Sequence, residues 1–202
     1  MQRALFALVF IATMTGCATR WVVDSEVDSF SKLPPAIPAG ATYRFDRLPS
    51  QQAREAQQQQ IEAMAAPALE RAGLRPDGAA ARFGVQVSAR VNVGLSPWSD
   101  PWFYGGPWGP GYHYGWAPGW RRGWYGPAYL PPASPWYERE VSIVVRELPS
   151  NQVVYETRAR NDGPYATSAA VLPVMFDAAL QGFPNPPKGV RRVDIELPSR
   201  RQ

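Results

Sequence analysis

The stretch that decides the fold runs from Phe83 to Val93 and reads FGVQVSARVNV. Apolar side chains occupy every second position from Phe83 to Val91 and Val93, and small or polar residues lie between them. Because successive side chains of a β-strand point to opposite faces, this alternation is typical of a strand with one buried and one solvated face. The stretch therefore predicts a sheet that helices cover on one side only.

Further strands are predicted on both sides of this stretch. Residues 139–160 predict a β-hairpin, because Val141, Ile143 and Val145 alternate with polar residues and a second alternating run follows a Pro-Ser-Asn turn at 149–151. Shorter alternating runs at 42–46 and 193–197 predict an early strand, which contains Tyr43 and Phe45, and a closing strand.

Two amphipathic helices separate these strands. The first is predicted to begin at the N-cap Ser50 and to end at Gly73, and the second to hold Pro173 in its first turn and to end in a Schellman motif at Gly182. Their apolar faces comprise Ile61, Met64, Ala65, Ala68, Leu69 and Ala72 in the first and Leu172, Met175, Phe176, Ala179 and Leu180 in the second.

These elements predict an α+β fold. We expect a two-layer sandwich in which a sheet of about five mostly antiparallel strands is covered on one face by two helices. The predicted domain spans residues 41–198, a tail spans 199–202, and residues 17–40 form a tether. Within the tether, the alternating carboxylates Asp24, Glu26 and Asp28 suggest a short strand or an extended linker. We expect them to be a solvated face rather than a cation site.

An insertion with a different composition interrupts the domain at residues 94–135. Its 42 residues include nine Gly, nine Pro, six of the eight Trp, five Tyr and one Phe, a density of Gly and Pro that forbids long regular elements. The rings predict either a binding surface or a cover that packs on itself. We expect His113, between two tyrosines, to be a stacking ring rather than a metal ligand. The candidate binding residues are Trp98, Trp102, Trp108, Tyr112, Trp116, Trp120, Trp124 and Tyr125.

The N-terminal residues predict a targeting signal. Arg3 precedes an apolar run at 4–12 that is too short to span a bilayer. Thr15-Gly16-Cys17 then resembles a bacterial lipobox, although Met14 stands where leucine is usual. The resemblance implies a signal peptide at 1–16 and lipidation of Cys17, the only cysteine. By resemblance to enterobacterial lipoproteins, Ala18 favours the outer membrane, with the domain facing the periplasm.

The whole pattern resembles a family of uncharacterised bacterial lipoproteins, grouped as domain of unknown function 4136. The resemblance rests on the order of elements: the lipobox, the Tyr43-Arg44-Phe45 strand, a helix with Ile61 and Leu69, the strand 83–93, the aromatic insertion, the strand pair 139–160 and the ending at Phe183-Pro184. The family has no established activity, so the resemblance implies no catalytic residue.

Several function classes are disfavoured by composition. One Cys and one His exclude a disulfide framework and a multi-cysteine zinc site and leave few arrangements for nucleophilic catalysis. The sequence has no Gly-x-Ser-x-Gly or His-Glu-x-x-His motif. Two adjacent arginines among aromatic residues, Arg121 and Arg122, and a pI of about 9.4 suggest nucleic-acid binding as a function. An envelope location argues against this function.

The sequence therefore predicts a non-enzymatic lipoprotein, held in the membrane by its N-terminal lipid, that binds an envelope protein or polysaccharide through the insertion. We expect no cofactor, no metal and no nucleic-acid partner. The alternative is an envelope hydrolase that cleaves glycans with a pair of carboxylates.

Overall fold

The computed structural model describes residues 21–37, 40–96 and 135–197. Within these residues the chain forms a seven-stranded mixed sheet with three helices, which confirms the predicted α+β class. In chain order the elements are β1 (Val22–Ser31), β2 (Ala41–Phe45), α1 (Pro49–Gln52), α2 (Glu55–Arg71), β3 (Leu74–Pro76), β4 (Phe83–Leu95), β5 (Pro135–Glu147), β6 (Gln152–Gly163), α3 (Ser168–Leu180) and β7 (Arg191–Glu196).

The strand order across the sheet is β3-β2-β4-β5-β6-β1-β7. β2 runs parallel to both β3 and β4, and every other neighbouring pair is antiparallel. The prediction of about five strands is wrong by two: β3 has only three residues, and β1 lies in the predicted tether. A strand as short as β3 leaves no alternation for a sequence pattern to reveal.

β1 corrects the predicted domain boundary at residue 41. Its ten residues pair with β6 on one side and β7 on the other, so residues 22–31 belong to the sheet rather than to a tether. Val23, Ser25 and Val27 are buried, while the carboxylates between them are exposed. The expected solvated face is therefore the outer face of an interior strand.

β4, β5 and β6 form the centre of the sheet with the predicted alternation. Val85, Val141 and Ile143 are fully buried, and the turn between β5 and β6 is closed at Asn151, whose φ is +55°. The predicted burial of Val91 and Val93 is wrong: 39% and 64% of their surfaces are exposed. β4 extends past the region where α2 packs against it, so these two valines project beyond the core.

Both longer helices pack on the face that carries the buried strand residues. α2 contacts β3 and β4, α3 contacts β1, β5, β6 and β7, and the two helices contact each other. The predicted apolar faces are confirmed, since Ile61, Leu69 and Phe176 are among the buried residues. Together they form one contiguous core with the inner residues of the sheet.

The helix ends differ in part from the predictions. Ser50 lies inside the short helix α1, because Pro49 begins that helix and a separate helix α2 begins at Glu55. Pro173 lies in the interior of α3 rather than in its first turn. Gly73 and Gly182 follow their helices with φ of +89° and +85°, as predicted. After α3, however, the Phe183 amide donates to Leu180 O instead of Ala178 O, which accepts from the Gln181 amide, so the predicted Schellman motif does not form.

Candidate functional site

The predicted site residues lie outside the described part of the chain. Cys17, His113 and all eight aromatic residues of the candidate binding surface fall in ranges 1–20 and 97–134. The structure does describe where the insertion joins the domain. Its two ends are adjacent, because Gly94 pairs with Trp136 and Leu95 pairs with Pro135.

We call this region the insertion base: residues 90–95 of β4, 135–140 of β5 and 159–163 of β6. The ladder between β4 and β5 is regular from Phe83↔Glu147 to Leu95↔Pro135. Each polar side chain of the base is therefore held on one face by the strand period. The insertion begins and ends on a fixed platform at one end of the sheet.

Aromatic side chains also lie on this platform and beside it. The indole Nε1 of Trp136 donates a hydrogen bond of 2.9 Å to Asp162 Oδ2. The guanidinium of Arg139 lies 5.3 Å from the centre of the Tyr137 ring, within the range of a cation–π contact. On the neighbouring loop, the rings of Trp21 and Tyr165 lie 5.0 Å apart. These contacts fix ring planes at the insertion base.

Arg139 is the functional-site residue that sequence reasoning missed. Only 3% of its surface is exposed, and burial lowers the pKa of its guanidinium. It donates to Ser168 Oγ at 3.0 Å, to Asn161 Oδ1 at 3.2 Å and to the carbonyl of Tyr165. It thereby joins β5, β6 and the start of α3. The sequence did carry a signal for this burial: Arg139 lies two residues before Val141, so the strand alternation places both side chains on the inner face.

A polar groove of about 420 Å³ lies beside Arg139 on the outer face of the base. Its lining carries both charges. Arg160 Nε donates to Glu140 Oε2 at 2.9 Å, and this hydrogen bond raises the pKa of Arg160. Alternating charged and amide groups of this kind can hydrogen-bond hydroxyl, amide or charged groups of a ligand. The lining residues are Glu26, Arg90, Asn92, Glu138, Arg139, Glu140, Arg160, Asn161 and Asp162.

Several of the described carboxylates are engaged with arginines. Glu62, the most buried of them at 6% exposure, accepts two hydrogen bonds of 2.7 Å from Arg47, which raise the pKa of Arg47. Asp24 on the outer face lies 3.3 Å from Arg192. In residues 21–37, 40–96 and 135–197, no group of three or more Asp, Glu, His or Cys side chains is arranged to hold a metal ion.

Among the described residues, no helix has both the length and the apolar character needed to cross a membrane.

The fold and the insertion base define the class of protein: an α+β domain with one helix-covered sheet face and a long aromatic insertion between two central strands. The chain belongs to the family described as "Domain of unknown function (DUF4136)", whose model matches residues 26–185. That match confirms the family resemblance. No curated protein matches the sequence.

The chain is also similar to solved structures at low identity. A PelC dodecamer from Paraburkholderia phytofirmans is 12% identical, with a TM-score of 0.45 over 81% of this chain and 99% of that chain. A PelC variant dodecamer from the same organism is 12% identical, with a TM-score of 0.44 over 77% and 94%. A PDZ domain protein from Parabacteroides distasonis is 13% identical, with a TM-score of 0.47 over 95% of this chain and 42% of that one. At this identity the dodecameric state is a property of PelC and is not transferred to this chain.

Proposed function

We propose that this chain is a non-enzymatic, lipid-anchored lipoprotein of the outer membrane, facing the periplasm, that binds an envelope protein or polysaccharide through its aromatic insertion. The observation that carries the proposal is the placement of the insertion. The segment that carries the eight candidate rings is joined at both ends to the paired ends of β4 and β5. Its two attachment points therefore lie together at one end of the sheet, beside the polar groove of the base.

The chemistry of the insertion base supports a polar ligand beside the rings. The groove of about 420 Å³ presents arginine, carboxylate and amide groups next to Trp136, whose indole is held by Asp162. Flat rings that stack on sugar faces or peptide groups, beside hydrogen-bonding side chains, suit a polysaccharide or a protein surface.

Anchoring is supported by the sequence alone. Cys17 is the only cysteine and follows Thr15-Gly16, and a diacyl or triacyl N-terminus gives a stable anchor where one chain does not. Replacing Cys17 by Ser should give a protein that is unprocessed or released from the membrane fraction. Mass spectrometry of the wild-type mature protein should show acyl mass on its first residue.

The hydrolase alternative is less well supported. General acid catalysis by a carboxyl group requires a raised pKa, usually in an apolar setting. In the described part of the chain, Glu140 lies 2.9 Å from Arg160 and Glu62 lies 2.7 Å from Arg47, so both carboxylates are engaged by arginines rather than held in an apolar setting. We therefore favour binding over hydrolysis.

The binding proposal is tested by pull-down of envelope proteins from detergent-solubilised outer membranes, in which the lipid anchor alone retains no partner, and by co-sedimentation with purified peptidoglycan. A variant with all eight candidate rings replaced by serine should lose binding to at least one of these, while its melting temperature stays that of the wild type. A control variant carries Arg158→Ser on the exposed outer face of β6 and should bind normally. Equal binding by the ring variant and the wild type would contradict the proposal.

A further inference from the structure

Among the residues that the structure describes, none pairs as a strand with the outer edge of β4 over its second half. On the side away from β5, β2 pairs with β4 only from Phe83 to Val85. The chain then leaves β2 for α1. From residue 87 to residue 95, no described strand lies beside this edge, although β4 itself continues for its full 13 residues.

The free edge offers backbone groups in a regular order. Val85 O accepts from the Asp46 amide on the β2 side, and Val87 O accepts from side chains on the same side. The odd residues therefore direct N–H and C=O groups away from β5, and the even residues direct theirs toward it. Ala89, Val91 and Val93 are the odd residues beyond Val87, and the two valines are also exposed.

The space beside this edge is blocked at one end and open along the rest of the strand. Gln51 Nε2 and Gln58 Nε2 donate to Val87 O at 2.9 and 3.1 Å, so α1 and α2 occupy that space at Val87. Beyond it, a groove of about 460 Å³ runs between these helices and β4. Its lining includes Ala89 and Val91, two of the odd residues of the unpaired edge.

The charged residues that line the groove are Arg54, Arg90 and Glu140, so its net charge is positive. Arg54 and Arg90 both line it, and neither forms an ion pair with a described carboxylate. Glu140, the cross-strand neighbour of Arg90, is bound to Arg160. On the opposite face of the strand, Val91 and Val93 present apolar surface. A strand added here would meet arginine on one face and valine on the other.

We propose that the open edge of β4 binds an extended acidic peptide segment of a partner protein by strand addition, separately from the aromatic insertion. Main-chain hydrogen bonds to Ala89, Val91 and Val93 would hold the segment. Acidic side chains would face Arg90, apolar side chains would face the valines, and Arg54 would attract the end nearest α1. A long exposed edge with apolar side chains is a ready template for such pairing.

The test uses the full chain in detergent micelles and synthetic peptides of about six residues, a common strand length, in which valine alternates with glutamate. Amide hydrogen exchange at saturation should slow at Ala89, Val91 and Val93. The even residues Ser88, Arg90 and Asn92, which face β5, serve as internal controls. A valine–lysine peptide of equal length is the charge control and should bind about tenfold or more weakly.

Variants separate charge from backbone recognition. Arg90→Glu should weaken the acidic peptide about tenfold, whereas Arg158→Glu, on the distant strand β6, should not. Val91→Pro removes an outward amide without breaking the β4–β5 ladder and should also weaken binding. Thermal melting of each variant verifies that the domain remains folded, and Val93→Pro, which also removes an outward amide, replaces the Val91 variant where it does not.

Each contrary outcome overturns the proposal. Failure of every peptide to bind, equal binding of the acidic and basic peptides, or binding without protection of the three odd amides would show that the edge does not take an acidic strand. Protection already present in the free chain would mean that the edge is occupied. A concentration-dependent protection would assign the edge to a second copy, and a concentration-independent one to another segment of the same chain.

Discussion

Tyr43 lies at the centre of β2, where only 1% of its surface is exposed. Its ring meets Phe45 edge to face, with centroids 5.3 Å apart. Its hydroxyl is buried without a hydrogen-bond partner among the described residues. Burial is the main cause that raises the pKa of Tyr43 from 10.0 to about 12, and the charges of Glu70 and Glu62 add to it. An unpaired buried hydroxyl costs the free energy of its lost hydration.

Replacing Tyr43 by Phe should therefore leave the free energy of unfolding at pH 7 unchanged or raise it by about 1 kcal/mol. The alkaline limb should also change. In the wild type the unfolded tyrosine ionises near pH 10 and the folded one near 12, so stability falls as the pH rises between these values. The variant should lose less over that range. Urea denaturation at pH 7 and between pH 10 and 12 measures both effects, and a large loss at pH 7 would show that the hydroxyl has a partner.

Asp77 stabilises the turn between β3 and β4 by accepting hydrogen bonds from backbone amides of that turn. Its Oδ1 accepts from the amides of Ala79 and Ala80 at 2.9 and 3.0 Å, and these bonds lower the pKa of its carboxyl. The ionised form is thus favoured by folding. This stabilisation is fully present above the ordinary carboxyl pKa and disappears as the pH falls through the lowered folded value.

Asp77→Ala should accordingly lower the melting temperature at pH 7, because two amides lose their acceptor. The difference between variant and wild type should shrink steadily below about pH 4. Asp77→Asn, which keeps one acceptor oxygen, should fall between them. A difference that stays constant down to pH 2 would mean that the carboxylate charge contributes nothing.

At the scale of elements, the central strands and both long helices could be predicted because their patterns are local. β4, β5 and β6 alternate over many residues, and each helix places its apolar residues on one face. The sequence of β1 did not distinguish a strand from a linker, since its alternating carboxylates suit both. These carboxylates are compatible with an interior strand because arginines lie beside them on the neighbouring strands, Arg158 and Arg160 on β6 and Arg192 on β7. That compensation comes from residues more than a hundred positions away.

Buried polar residues were missed for the same reason. Gln58 and Glu62 lie on the inner face of α2, although neither is among the apolar residues from which that face was predicted. Arg47 neutralises Glu62, and Gln58 caps the carbonyl of Val87. Neither contact can be read from helical spacing. Gln58 and Gln51 close the edge of β4 where β2 departs, which is a property of the sheet rather than of the helix.

The alternation of β4 gives a prediction at the scale of the element. Val87→Asp places a charge at a position with 1% exposure, where burial costs several kcal/mol against a total stability of about 5–15 kcal/mol. The variant should not fold. Gln86→Asp, on the outer face, should cost within about 0.5 kcal/mol. Circular dichroism with thermal melting compares the two, and equal destabilisation would contradict the assignment of faces.

At the scale of the whole molecule, the two faces of the sheet have separate roles. One carries the core beneath α2 and α3, and the other is a field of paired charges, such as Arg160 with Glu140 and Arg192 with Asp24. The sequence located the insertion and its candidate rings. The polar groove at its base and the open edge of β4 followed only from the strand order, because both depend on which strands are neighbours.

The last prediction is that the insertion is separable from the fold. The pairing at the end of the β4–β5 ladder determines where the new turn is placed. The backbone groups of the even residues of β4 point toward β5, so Gly94 and Trp136 form a hydrogen-bonded pair. Leu95 and Pro135 form a pair without these hydrogen bonds. Replacing residues 95–135 by Asn-Gly closes a two-residue turn on the hydrogen-bonded pair, as such turns require. Since the entropy of closing a long loop grows only logarithmically with length, the shortened domain should melt at the wild-type temperature or higher.

A control chain keeps the length of residues 95–135 but fills it with Gly and Ser. If the insertion only binds, both chains should fold as stably as the wild type, and both should lose the pull-down of envelope proteins or the co-sedimentation with peptidoglycan that the wild type shows. If instead its rings cover the sheet, each Å² of apolar surface uncovered costs about 25 cal/mol. Both chains should then melt lower or aggregate, and the insertion would be a structural cover. Melting temperature and co-sedimentation, measured on the same three proteins, decide between these roles because only a cover changes the first.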